Sequence, residues 1–578
     1  MHRWLHLWLF LILYASTSVG HAQTAPTHTS TSVLQHTMVA AANRLAAEAG
    51  LAVLRNGGRA ADAAVAVQAV LTLVEPQSSG LGGGAVALYY DAAHQAVTAW
   101  DGREAAPAAV RPDLFLDHYG EPMPHQQAAV GGRAVGVPGT LRMLEALHAT
   151  YGKLPWADLF APAIHLAEMG FAVSPRLARQ IAEDRPALSH QAAAAGYFFP
   201  GGVALGAGQL LINRPLAEVL RAIAATGADA LYSGAVAADI AAAVRTDPNA
   251  GLLTTDDLAA YRARQREPVC GLYRGARVCS MGPPSAGGVA VLETLGLLEH
   301  FNLPDMAPGG ADAIYLLIEA ERLALADRDR YMADTDFVRA PLRGLLAPGY
   351  LTARAQLIDP EHAAVTVRAG NPDWTEPNAG PNWAPQPLQP EHGTSQIAIV
   401  DAEGNALTMT TTVQDPFGAR LLVHGFLLND ELTDFSFRPE IDGRLVANRA
   451  EPGKRPRSAM SPTLVFDRSG ALRVLVGSQG GGRIISFVLQ ALLGMLDWDL
   501  SPQDAVAAGH VVTTGSPLGA NVLLEANTEA ASLAQALTAR GEHVAVEPIP
   551  SGEQAIMRTK AGLVGTADPR GEGVALGE

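Results

Sequence analysis

The sequence predicts an α/β protein, and three observations carry that reading. Alanines and leucines recur at helical spacing from Leu34 to Val74, and residues 105 to 265 read as mostly helical. Beyond Gly393 the period switches to short strand-like runs. At 578 residues, 48% of them hydrophobic, the chain is too long for one ordinary core, which leaves two lobes or one large layered domain. A net charge of −16 and the lack of any long Lys/Arg run exclude a nucleic-acid backbone as partner, since that partner requires a basic face.

Taken in order, Met1-His2-Arg3 precedes the apolar run from Trp4 to Ala15, and Gly20-His21-Ala22 supplies small residues at a cleavage position. Residues 1–22 therefore read as a secretory signal peptide, with the mature chain starting near Gln23 and an uncleaved anchor as the alternative. The apolar run is shorter than the roughly 20 residues that span a bilayer, and no later run reaches that length. The expected product is exported, periplasmic or secreted, with no membrane span after signal removal.

Two helices are expected between Leu34 and Val74, separated by Asn56-Gly57-Gly58. The run Glu75 to Gly84 ends in glycines that feed a strand over Ala85 to Tyr90, and a second strand covers Ala96 to Trp100. Glycines before a strand do not form a dinucleotide fingerprint, which needs them after a strand and opening a helix. Arg103 follows the second strand, where its guanidinium either clamps a ligand carboxylate or pairs with a neighbouring acid. Gly136-Val137-Pro138-Gly139 punctuates the chain before a helix from Thr140.

The only cysteines, Cys270 and Cys279, flank a hairpin whose turn is Arg274-Gly275. That register sets them opposite each other in a non-hydrogen-bonded pair, the closer kind. A disulfide and two free core thiols are equally compatible with the sequence, because a slip of one residue separates the cysteines. No further His/Cys cluster completes a metal site around them. Met281 to Gly288 opens a helix over Val289 to His300, and another spans Ala311 to Arg330. From Gly370 to Gly393, Pro, Asn, Gly and Trp dominate, which is the chemistry of a linker or of a stretch exposed until cut.

The chain then enters Gly393-Thr394-Ser395-Gln396-Ile397-Ala398-Ile399-Val400. Cleavage between Gly393 and Thr394 would place a hydroxyl and a free amine on one residue, a nucleophile carrying its own general base. Strands over Ser395 to Val400 and Ala406 to Val413 form a hairpin; centred on Glu403, it sets Thr394 opposite Thr412, with Gln414 two residues further on. Glu431 and Asp434, three apart beside an apolar strand, are either an ammonium site or solvated loop acids. The run Lys454 to Thr463, containing Ser458 and Ala459, leads into a strand over Leu464 to Phe466. After a buried-type strand from Leu472 to Ser478, the turn Gln479 to Arg483 opens an apolar helix over Ile484 to Leu496. The N–H groups of Gly480 and Gly481 at that helix start suit an oxyanion hole. A phosphate cradle ranks below a purely structural turn there, because no P-loop lysine follows.

These stretches together resemble the gamma-glutamyltranspeptidases, or glutathione hydrolases, of the N-terminal nucleophile hydrolase superfamily. The resemblance runs from about Val33 to Gly577 and rests on Glu75 to Gly84, Asp101 to Glu104, Met281 to Gly288, Gly393 to Asp401, Leu427 to Phe435, Lys454 to Thr463, Gly477 to Ile485 and Ala567 to Arg570. It implies a four-layer αββα sandwich and a proenzyme that cuts itself into a large subunit, 23–393, and a small subunit, 394–578. It also implies small-molecule gamma-glutamyl substrates such as glutathione, with water or an amino acid or peptide as acceptor, and no metal or organic cofactor.

By the same resemblance Thr394 is the nucleophile, Thr412 supports it, and Gly480 and Gly481 form the oxyanion hole. Arg103 and Ser458 hold the substrate α-carboxylate, while Glu431 and Asp434 hold its α-ammonium, the cation and the two anions being placed apart. Gln414 stands where many members have Asn, and Ala459 where many have a second Ser. Loss of that hydroxyl removes one hydrogen bond, about 0.5–1.5 kcal/mol. The segment from Phe435 to Lys454 is shorter than in lid-bearing members, which favours hydrolysis. The alternatives are a glutaryl or cephalosporin-type acylase of the same superfamily and an inactive binding homologue.

Overall fold

The computed structural model describes residues 36–374, 382–387, 393–514 and 521–578. The signal peptide assigned to 1–22 and most of the linker-like stretch before Gly393 lie outside the described residues.

Two antiparallel sheets stack face to face. The first has seven strands in the spatial order Val574–Gly577, Met38–Ala41, Ser395–Val400, Ala406–Thr412, Gly84–Asp91, Ala96–Gly102 and Arg264–Arg266. The second has six: Gly562–Ala567, Gln554–Thr559, Leu472–Gly477, Thr463–Phe466, Ala276–Ser280 and Val269–Tyr273. Strand periodicity makes the layers. Ala85, Ala87 and Tyr89 face a core shared with the helices Arg44–Arg55, Ala60–Val74 and Thr140–Tyr151. Val86, Leu88 and Tyr90, pointing the other way, pack with Leu464, Phe466, Val474 and Val476 of the second sheet. The helices Gly287–Leu298, Ala311–Tyr331 and Ile484–Leu496 join this second core. The result is helix, sheet, sheet, helix.

The pattern-based boundaries hold to within a few residues, with one difference. Met38–Ala41, read as the start of a helix, is a strand between Ser395–Val400 and Val574–Gly577. Its four residues are fully buried, and pairing on both edges overrides a local preference for helix. The 395–412 hairpin takes the register centred on Glu403, Ser395 facing Thr411 and Val400 facing Ala406. The second hairpin turns at Arg274 and Gly275, both with positive φ, setting Cys270 against Cys279. Their Cα atoms lie 4.1 Å apart and the sulfurs are bonded.

A buried carboxyl ties the outer helices together. Glu321, on Ala311–Tyr331, is 1% exposed and accepts a 2.6 Å bond from the Ser486 hydroxyl of Ile484–Leu496. Burial pushes it up to about 7. A raised carboxyl pKa means that the folded chain holds a proton the unfolded chain releases. Its contribution is therefore fully present below the unfolded value near 4.5 and fades as pH rises toward 7, by about 3 kcal/mol in all. Glu321→Gln is expected to flatten that part of the pH profile, read as urea midpoints from pH 5 to 8; an unchanged wild-type slope would contradict it.

Candidate active site

The hairpin and the glycine turn meet at Thr394. Thr394 is 2% exposed and lies one residue beyond the last ladder pair, Ser395 with Thr411, so the register carries it toward Thr412. Its backbone N–H donates to the Ser78 carbonyl at 3.3 Å. Its φ is +100°, where a β-branched residue is strained. Gly393, at φ +78°, packs so closely on the Gln414 carbonyl that a Cβ there would overlap it. From the other side, the Gly480 N–H donates to the Gly393 carbonyl at 3.2 Å. The carbonyl of the 393–394 peptide bond thus already sits on one of the two glycine donors. Gly480 itself has φ +134°, and a Cβ on it would come within 2.6 Å of the Phe487 ring. Gly481 begins the 3₁₀ turn Gly481–Arg483, so its N–H belongs to the donors that a helix start leaves without an intrahelical partner.

Thr412 and Gln414 are both buried. The Thr412 hydroxyl accepts the Gln414 N–H at 2.8 Å. Gln414 has φ +78°, so strand parity has ended there, yet its amide reaches the Asp434 carboxylate at 2.6 Å. The longer side chain uses its extra methylene to bridge the hairpin to the acidic turn Glu431–Asp434.

That turn is not solvated. Glu431 is fully buried and Asp434 is 7% exposed. Their shared partner is Arg103, 1% exposed, which donates to both carboxylates. The expectation that cation and anions stand apart is corrected: in a dry site, opposite charges close on each other because little solvent screens them. Arg103 also donates to the carbonyls of Pro456, at 3.2 Å, and Arg457, at 3.0 Å, which fixes it beside Ser458. The Ser458 hydroxyl oxygen accepts the Met460 N–H at 3.1 Å, leaving its own proton to donate. Ala459 is buried, and its carbonyl lies against Gly287 so tightly that no Cβ fits there.

Sequence reasoning missed three contributors. Glu104, fully buried, lies 3.7 Å from the Arg103 guanidinium. Burial, only partly offset by Arg103, pushes its carboxyl up to about 8 and that of Glu431 well above the usual range. The Ser78 carbonyl accepts the N–H groups of both Thr394 and Val413. Gln479 anchors the Gly480–Gly481 turn through its amide, which donates to the Ser551 carbonyl at 2.8 Å. The signal for Ser78 was present in the run ending Gly82-Gly83-Gly84. Gly82 and Gly83 have no room for a Cβ against the backbones of Leu427 and Thr412, so that run packs on the site.

The sequence matches the Gamma-glutamyltranspeptidase family over residues 46–578. The chain belongs to this family. Among gamma-glutamyltranspeptidase relatives, the glutathione hydrolase proenzyme of Bacillus subtilis (strain 168) is 38% identical over 82% of this chain and 80% of its own length. The glutathione hydrolase proenzyme of Escherichia coli (strain K12) is 35% identical over 92% and 90%. The acylase ACY 1 proenzyme of Pseudomonas sp. (strain SE83) is 35% identical over 93% and 92%. Among solved structures, the cephalosporin acylase of Bacillus halodurans superposes with a TM-score of 0.82 at 27% identity, covering 98% of this chain and 99% of that one. The gamma-glutamyltranspeptidase of Helicobacter pylori, 36% identical, gives 0.55 over 57% of this chain and 94% of its own. The four layers match the αββα fold expected of a gamma-glutamyltranspeptidase. Among the described residues, no helix is long and apolar enough to cross a membrane.

Proposed function

We propose that this chain is an exported proenzyme that cuts its own 393–394 bond and then hydrolyses or transfers gamma-glutamyl groups through Thr394. The observation that carries the proposal is the Gly480 N–H on the Gly393 carbonyl, with the Thr394 hydroxyl one residue away. In the first step the Thr394 Oγ attacks the Gly393 carbonyl carbon. Negative charge forms on the oxygen that Gly480 already holds, the C–N bond breaks, and the hydroxyl proton passes to the departing Thr394 nitrogen. Water then cleaves the ester, leaving a Gly393 carboxylate and a free Thr394 amine. The left-handed strain at Thr394 is released when that bond opens. Subunits 23–393 and 394–578 stay together, because each sheet is built from strands of both.

In turnover the new amine takes the Thr394 hydroxyl proton as Oγ attacks the substrate γ-carbonyl, and Gly480 and Gly481 hold the oxyanion. The proton goes to the leaving amine, and water or an acceptor amine resolves the gamma-glutamyl ester. The glutamyl zwitterion enters the Arg103 cluster by exchanging partners. Its ammonium takes over Glu431 and Asp434, and its carboxylate takes over Arg103 and the Ser458 hydroxyl. Charge is conserved in that exchange, so a buried ion set accepts a charged ligand without stranding a charge.

Denaturing gels and intact mass of purified protein are expected to give two pieces meeting at Gly393 and Thr394, with steady hydrolysis of a gamma-glutamyl anilide. A processed enzyme that cleaves the glutaryl anilide but not the gamma-glutamyl one is an acylase instead. A single, inactive wild-type chain refutes the proposal altogether.

A further inference from the structure

A cavity of about 860 Å³ opens beside Gly393 and Gly480. Its charge runs against that of the protein: five arginines and two glutamates line it, in a chain of net charge −16. None of Arg103, Glu431, Asp434 and Ser458 lines it. One reacting carbonyl at Gly480 therefore has two distinct neighbourhoods, the buried Arg103 cluster and this basic chamber.

Much of one wall is a single helix face. The helix Pro175–Glu183 presents Arg176, Arg179, Gln180 and Glu183 to the cavity, the i, i+3, i+4, i+7 spacing that places side chains on one side. Arg176 is tied to the Glu75 carboxylate and the Ser78 hydroxyl. Arg483 is shared with Glu547 at 3.2 Å, and Arg570 with Glu525 and Asp568. Arg179 is exposed and has no ion pair among the described residues.

Resting on the gamma-glutamyl reading above, we infer that this cavity receives the leaving group of the donor and selects leaving groups that carry a carboxylate, with Arg179 as the specificity-determining residue. The glutamyl end is spoken for by the Arg103 cluster, so the part of the donor beyond the scissile nitrogen faces the cavity. A carboxylate there meets a guanidinium with unused donors, in a recess where field lines are focused and only partly screened. Amino-acid and peptide leaving groups with a free carboxylate fit this chemistry; neutral amines gain nothing from it.

Two chromogenic donors that differ by one leaving-group carboxylate test this: L-γ-glutamyl-4-nitroanilide and L-γ-glutamyl-3-carboxy-4-nitroanilide. The readout is the ratio of their kcat/KM values, carboxylated over neutral, compared between wild type and variants so that intrinsic reactivity cancels. The ratio is expected to fall about fivefold in Arg179→Gln, further in Arg179→Glu, and to be largely kept in Arg179→Lys. In wild type it is expected to shrink with added salt. A ratio that is the same in wild type, Arg179→Gln and Arg179→Glu overturns the inference while leaving the gamma-glutamyl reading intact. A processed wild-type enzyme inactive on both donors overturns that reading instead.

Discussion

Thr394→Ala is expected to remain one chain on a denaturing gel and to lose turnover of a gamma-glutamyl anilide by about 10⁴- to 10⁶-fold, the range seen when a catalytic nucleophile is deleted. The geometry leaves no substitute. The nearest hydroxyl by register, that of Thr412, already accepts the Gln414 N–H. The Gly480 donor still holds the Gly393 carbonyl in the variant, because that contact is backbone to backbone. The oxyanion position is therefore intact and only the attacking oxygen is missing. Thr394→Ser restores that oxygen and is expected to process and turn over, more slowly because its rotamer is less restricted. Processing of Thr394→Ala at the same bond, seen by mass, would show that another group attacks Gly393.

Arg103→Met is expected to be the most destabilising single change in the site, by about 3–5 kcal/mol, the usual cost of stranding a buried ion partner. Three carboxyls face this one guanidinium: Glu431, Asp434 and, at 3.7 Å, Glu104. Two backbone carbonyls, of Pro456 and Arg457, lose a donor as well. Arg103→Lys is expected to be poor too, since an ammonium cannot reproduce the planar fork that serves all of these at once. Adding Glu431→Gln and Asp434→Asn to Arg103→Met replaces the two carboxyls that the guanidinium bonds directly. That triple variant is expected to regain much of the stability, measured by chemical denaturation, without regaining turnover. Recovery of both would mean that the cluster only holds the fold together, and that the glutamyl end binds elsewhere.

Much of this site was legible in one dimension. Cys270 and Cys279 are opposite because a two-residue turn fixes hairpin register, and the same arithmetic sets Ser395 against Thr411 and carries Thr394 toward Thr412. Helix boundaries such as Ile484–Leu496 follow from an apolar run bounded by a glycine turn and a polar stop. Met38–Ala41 was misread because a run of four apolar residues suits either period, and only their neighbours, 350 and more residues away, decide between helix and strand.

The αββα order came as what the family resemblance implies; the Gly393–Thr394 junction, the glycine turn at 480–481 and the switch from helical to strand periods were within reach of the sequence itself. Each rests on local chemistry: a residue type, a turn, or a period that the chain carries with it. What the tertiary structure alone decided is how charges and carbonyls meet. Arg103 lies on Glu431 and Asp434 rather than apart from them, the Gly393 carbonyl sits on the Gly480 N–H, and a basic chamber opens in an acidic protein. The physical reason is range. Hydrogen-bonded registers are set by neighbours along the chain, whereas burial, and with it the strength of every ion pair, depends on which distant segments exclude water together.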